Sequence, residues 1–169
     1  YERDITELYG GDGDDHITVS NGKWSYISGD NGDDTIETSD CLDLIINGGN
    51  GIDTINVTNC ANTIIDAGAN NDFITAENST ILEIDTGSGN DEIEIHNYQD
   101  LTLNAESGDD NINIFNDSYY GTSHVYGGDG VDNINVNFGE TTTIDGGNGN
   151  DIIDVSNVNN VNIYGGDGD

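Results

Sequence analysis

The chain has 169 residues, of which 34 are acidic against two basic ones, Arg3 and Lys23, so its formal charge is -32. A surface this negative repels nucleic acid and anionic membranes and takes cations as its natural partners. There is no apolar run of the roughly 18 residues that a membrane helix needs and no leader segment, so neither a membrane span nor a targeting signal is expected.

With 24 glycines and 33% hydrophobic residues the composition alone reads as disorder. The placement of the residues says otherwise. Residues 1–9 read as the tail of a preceding unit, and from Gly10 onward a glycine-rich hexamer recurs, closing on Asp15, Asp34, Asp53, Asp72, Asp91, Asp110, Asp132 and Asp151. The step is 19 residues everywhere except Asp110 to Asp132, where it is 22. Such self-similarity marks one small unit copied along the chain, with residues 10–164 giving eight copies and 165–169 the truncated start of a ninth.

Counted from the first hexamer residue, position 8 is Ile in every copy, namely Ile17, Ile36, Ile55, Ile74, Ile93, Ile112, Ile134 and Ile153. Position 10 carries Val19, Thr38, Val57, Ala76, Ile95, Ile114, Val136 and Val155, and alternation with period 2 predicts a strand. Position 18, an aliphatic row from Ile27 to Ile163, predicts a second inward-facing strand. The hexamer makes one turn. The other falls near positions 11 to 15, where position 12 is Asn21, Asp40, Asn59, Asn78, Asn97, Asn116 and Asn157, broken only by Phe138. The three extra residues form a bulge near 117–122, around Tyr119, Tyr120 and Gly121. The fold class is therefore all-β: a right-handed parallel β-solenoid of about eight coils, two short strands to each, in one repeat domain over 1–169.

Gly48-Gly49-Asn50-Gly51-Ile52-Asp53-Thr54-Ile55-Asn56 resembles the nonapeptide GGxGxDxUx of the repeats-in-toxin (RTX) family, and the resemblance runs in phase along essentially the whole chain. It implies a parallel β-roll with calcium between successive loops. Physical chemistry points the same way. Glycine-rich loops can aim several carbonyls at one point, calcium takes six to eight oxygens, and eight stacked carboxylates repel one another unless a cation separates them. Ordering so long and so charged a chain also asks more than its aliphatic rows supply, so metal binding is expected to contribute folding energy.

The ligand set that the resemblance implies comprises the eight hexamer-closing carboxylates and backbone carbonyls of two adjoining loops. At position 1 these are Gly10, Gly29, Gly48, Gly127, Gly146 and Gly165; at position 2, Asp30, Gly49, Gly68, Gly87, Gly128, Gly147 and Gly166. Position 3 adds Asp12, Asn31, Asn50, Asp129 and Asn148, and position 4 adds Gly32, Gly51, Asn70, Gly89, Gly108, Gly130, Gly149 and Gly168. About seven or eight ions are implied. The chain departs from the family's two nonapeptides per coil, since one half of each unit lacks the hexamer, so the calcium ladder is expected along one edge only. Glu106 sits where glycine is usual, and the weakest site is expected beside it.

Cys41 and Cys60 share position 13 on neighbouring coils and read either as a disulfide or as two free thiols. His16, His96 and His124 form no cluster and read as solvated surface. Trp24, Tyr98, Tyr119, Tyr120 and Phe138 lie near the second turn, where they either form a patch for carbohydrate or a partner protein or cover the bulged edge. The chain is also similar to calcium-dependent antifreeze modules of bacterial adhesins in its 19-residue unit, but the loop position that carries their threonines has none here. A lyase or epimerase on a parallel β-helix would need cationic groups beside a uronate, and none is present between the amino-terminal Arg3 and Lys23 and the carboxyl end. The chain is expected not to be an enzyme. It reads as a calcium-binding, calcium-dependent folding module of a longer secreted or cell-surface bacterial protein, for which the resemblance implies type I export; the alternative is an adhesin extender or a module binding carbohydrate or ice.

Overall fold

The computed structural model describes residues 6–117 and 121–168, and among these there is no helix. Arg3, Tyr119, Tyr120 and Asp169 lie outside the described residues. The strands are β1 (Thr6–Asp12), β2 (His16–Ser20), β3 (Lys23–Asn31), β4 (Thr35–Ser39), β5 (Leu42–Asn50), β6 (Thr54–Thr58), β7 (Ala61–Ala69), β8 (Phe73–Glu77), β9 (Ile81–Asp85), β10 (Glu92–His96), β11 (Asp100–Asn104), β12 (Asn111–Phe115), β13 (Thr122–Asp129), β14 (Asn133–Asn148) and β15 (Ile152–Tyr164). All pairings are parallel and join one coil to the next. Ile17 lies opposite Ile36, and Ile36 opposite Ile55. Past the 22-residue unit Ile112 still meets Ile134, so the insertion leaves the stack in register.

Odd-numbered strands stack from β1 to β13 and even-numbered ones from β2 to β12. The two stacks meet in β14, which runs unbroken through the second turn and pairs along its length with β15. The result is the expected β-solenoid of about eight coils. Strands β3, β5 and β7 are longer than the aliphatic pattern suggests: each continues through the third residue of the following hexamer, so the first glycines belong to the sheet. In β9 and β11 that continuation is lost. There the loops pair through isolated bridges, Ala69 to Ser88, Ser88 to Ser107 and Ser107 to Asp129, with single backbone hydrogen bonds beside them such as Asn70 to Ser88 at 2.7 Å.

The aliphatic rows meet between the sheets, with Ile36, Ile55, Ile93, Ile112 and Ile134 fully buried from one side and Ile27, Ile46, Leu103 and Ile144 from the other. The Asn row is explained by its backbone. Asn21, Asp40, Asn59, Asn78, Asn97 and Asn157 have φ between 53° and 58°, a left-handed conformation that Asn and Asp tolerate best among residues with a Cβ. Phe138 is held there too, at φ 64°. Asn116, beside the insertion, instead turns inward, is buried, and donates its side-chain amide to the Tyr98 carbonyl at 3.1 Å.

Position 13 is a third inward row that alternation did not reveal. Cys41, Cys60, Ser79 and Tyr98 all occupy it and are buried. Tyr98 thus belongs to the core and not to an exposed aromatic patch. Room for its ring comes from Gly121 and Gly139 on the next two coils: a Cβ at Gly121 would stand 3.2 Å from the ring, and one at Gly139 3.9 Å from the hydroxyl. Cys41 and Cys60 are stacked free thiols. The Cys41 amide donates to Cys60 Sγ at 3.3 Å, while each thiol points back to a carbonyl of its own turn, Ser39 at 3.2 Å and Thr58 at 3.3 Å. Exposed His16 and half-buried His96 lie beside Glu37 and Glu94 on the outer face of the even-numbered sheet, and His124 is exposed on the other.

Candidate metal centre

Each hexamer closes by turning its aspartate inward. The side chains of Asp34, Asp53, Asp72, Asp91, Asp110 and Asp132 are at most 2% exposed, far deeper than an edge array of solvated carboxylates would be. The register of the coils then divides each carboxylate in two. One oxygen, Oδ1, accepts the backbone N–H of the equivalent aspartate in the preceding coil: Asp15 to Asp34 at 2.7 Å, Asp34 to Asp53, Asp53 to Asp72, Asp72 to Asp91 and Asp91 to Asp110 at 2.8 Å, Asp110 to Asp132 at 2.9 Å, and Asp132 to Asp151 at 3.0 Å. The aspartates are therefore amide caps, as turn chemistry alone would allow.

The second oxygen is not used that way. Oδ2 of all eight, Asp15, Asp34, Asp53, Asp72, Asp91, Asp110, Asp132 and Asp151, is buried without a hydrogen-bond partner. In the five loops that open with glycine it lies beside the first carbonyl of the next loop: a Cβ added to Gly10 would lie 2.8 Å from Asp15 Oδ2 and 2.7 Å from the Gly29 carbonyl, and one on Gly127 would lie 2.5 Å from both Asp132 Oδ2 and the Gly146 carbonyl. A buried carboxylate oxygen without a donor, set beside a further acceptor, is relieved by a proton or a cation.

Electrostatics agree. Burial pushes Asp53 up to about 6 and Asp72 and Asp110 up to about 7, against a bond from the neighbouring amide that pulls the other way; the charge of adjacent ladder carboxylates adds to the rise. Asp34, Asp91 and Asp132 are raised for the same leading reason. Among the described residues no salt bridge joins a lysine or arginine to the ladder, and no three His, Cys, Asp or Glu side chains gather around a point. A cation here would be held mainly by backbone oxygens, one carboxylate to each rung, which suits a hard ion rather than zinc.

The other positions of the implied ligand set are also placed. Position 3 carbonyls of Asn31, Asn50, Asp129 and Asn148 each accept a position 4 amide from the coil before, at 2.7 to 2.8 Å. At positions 2 and 4 the backbone is left-handed, including Asp30 and Asn70. There the loops stack so closely that a Cβ on Gly32, Gly49, Gly51, Gly68, Gly87, Gly89, Gly108, Gly128, Gly130, Gly147 or Gly149 would run into a carbonyl of the loop beneath. Glu106 takes the left-handed conformation at φ 65°, the strained position expected of it. Sequence reasoning missed a second ladder at position 5. Asp14, Asp33, Asn71, Asn90 and Asp109 each accept the position 5 amide of the following coil at 2.8 to 3.0 Å, and the signal was present as Asp or Asn in that column.

Compared with known proteins, the chain matches no family model, no curated protein and no solved structure, so the likeness to RTX repeats rests on the loop residues themselves.

Proposed function

We propose that this chain is a calcium-binding repeat module whose folding depends on the ion, within a secreted or cell-surface protein of the RTX type. One observation carries the reading: eight buried carboxylate oxygens in a column, each without a partner, five of them beside the first carbonyl of the next loop. The aspartate Oδ2 and the carbonyl of the next loop's first residue would hold the ion, which when bound supplies the positive charge that the described ladder lacks. The chain's own part is to bury the carboxylates, fix one oxygen on an amide and leave the other free. With a net charge of -32, the metal-free array resists compaction, which suits a chain exported unfolded and folded outside, where calcium is millimolar. The role is structural, not catalytic.

Far-ultraviolet circular dichroism after chelation, titrated with calcium and separately with magnesium, tests this. A cooperative gain of β signal near 0.1 to 1 mM calcium, absent with magnesium, is the expected result; a complete β spectrum in chelator that calcium leaves unchanged would sink it.

A second reading, a ligand-binding module, is favoured by a groove of about 440 Å³ on the outer face of the odd-numbered sheet, lined by Trp24, Tyr26, Ile45, Ile64, Ile81 and Glu83. Trp24 is the single tryptophan, and its emission would shift on adding oligosaccharide if the groove took a sugar face.

A further inference from the structure

The first residue of each hexamer controls the space between the two oxygens of its rung. At Gly10, Gly29, Gly48, Gly127 and Gly146 an added Cβ would meet the same pair each time, the aspartate Oδ2 of its own loop and the first carbonyl of the next. In these five rungs the space is open because the residue is glycine. In the three rungs between them the equivalent residue carries a side chain, Ala67 before Asp72, Thr86 before Asp91 and Ala105 before Asp110, and all three are completely buried. Thr86 goes further. Its hydroxyl donates at 3.0 Å to the Ala105 carbonyl, the counterpart of the carbonyl left beside Oδ2 in the open rungs. The loops opening with Thr86 and Ala105 are also those whose strands stop short and that pair through isolated bridges.

On the calcium reading above, we infer that the ladder binds ions in two separate blocks, three rungs at Asp15, Asp34 and Asp53 and two at Asp132 and Asp151, while the side chains of Ala67, Thr86 and Ala105 keep the central three rungs free of metal. Calcium requires several oxygens at about 2.3 to 2.6 Å, and a methyl group between two of them removes that approach. The central coils then take no ion of their own and are held in place by the two ion-filled blocks that flank them.

Equilibrium dialysis of the 169-residue chain at saturating calcium, with bound metal counted by atomic emission, tests the inference. Five ions per chain are expected. Seven or eight would leave the calcium reading standing and overturn the block arrangement, whereas none would overturn both. Two variants, each checked for the wild-type dichroism spectrum in calcium, sharpen the count. Gly48→Ala, at a position where alanine already stands in two other coils, should lose one ion, and Thr86→Gly should gain one. A Thr86→Gly count equal to wild type would overturn the inference.

Discussion

Asp53 shows how one side chain can serve two purposes that mutation separates. Its Oδ1 accepts the Asp34 amide at 2.8 Å, and its Oδ2 is the orphan facing the Ala67 carbonyl. Asp53→Asn keeps the acceptor and turns the orphan into an N–H donor that can reach that carbonyl. In chelator at neutral pH this variant should retain more β signal than wild type, yet bind at least one calcium fewer. Asp53→Ala removes the cap as well, leaving a buried amide unpaired at a cost of about 1 to 3 kcal/mol, and should melt below wild type in calcium. Equal β signal from the two variants in chelator would refute the division of labour. Titration follows from the same burial. A carboxyl raised from 3.8 to about 6, as at Asp53, or about 7, as at Asp72 and Asp110, binds its proton more tightly folded than unfolded. That stabilisation is fully present below about pH 3.8 and is lost as pH rises through 6 and 7. The β signal that remains in chelator should therefore fall from about pH 5 to 8, and the gain on adding calcium should widen over that range, because the ion favours the ionised form. A chelated protein equally stable across the window would contradict the raised values.

The hexamer turn depends on glycine where coils touch. Gly51 has φ +129°, and a Cβ there would run into the Gly32 carbonyl, whereas Gly13 has φ +109° but open space around it. Both substitutions by alanine carry the backbone cost, but only Gly51→Ala also forces two coils apart. It should cost roughly 1 to 3 kcal/mol in a denaturant melt with saturating calcium, clearly more than Gly13→Ala; equal losses would mean that inter-coil contact adds nothing. The strands and turns at this scale were legible because each depends on residues close in sequence: the Ile row at position 8 fixes a face, and the Asn row at position 12 marks a left-handed backbone. What was not legible depends on what lies one coil away. Only the register shows that the Asp53 carboxylate splits between an amide and a carbonyl. Only the stacking shows that Gly121 and Gly139 leave room for Tyr98, and that position 13 is buried.

The molecule is a stack in which each strand pairs only with its counterparts on neighbouring coils, so its stability is a sum of coil terms and interface terms along one axis. Among the described residues β15 pairs with β14 alone. Ile163 in its position 18 row is 48% exposed, while Ile144, one coil inward, is fully buried. Opening is therefore easiest from β15, and charge adds to the tendency, since like charges along the rod gain most by separating where packing is thinnest. Hydrogen exchange of this polypeptide in calcium should show least protection in Ile152–Tyr164, rising through β13 and β14 to a maximum in β5 to β8, where every coil is covered on both sides. Removing calcium should extend the weakly protected region inward from the carboxyl end, through the coils of Asp151 and Asp132, before the amides of β8 to β11 exchange freely. That order tests the axial arrangement directly. If amides of β15 and β7 instead exchanged at one rate in both conditions, opening would be global, and the coils would be coupled too strongly for a sum of neighbouring interfaces to describe them.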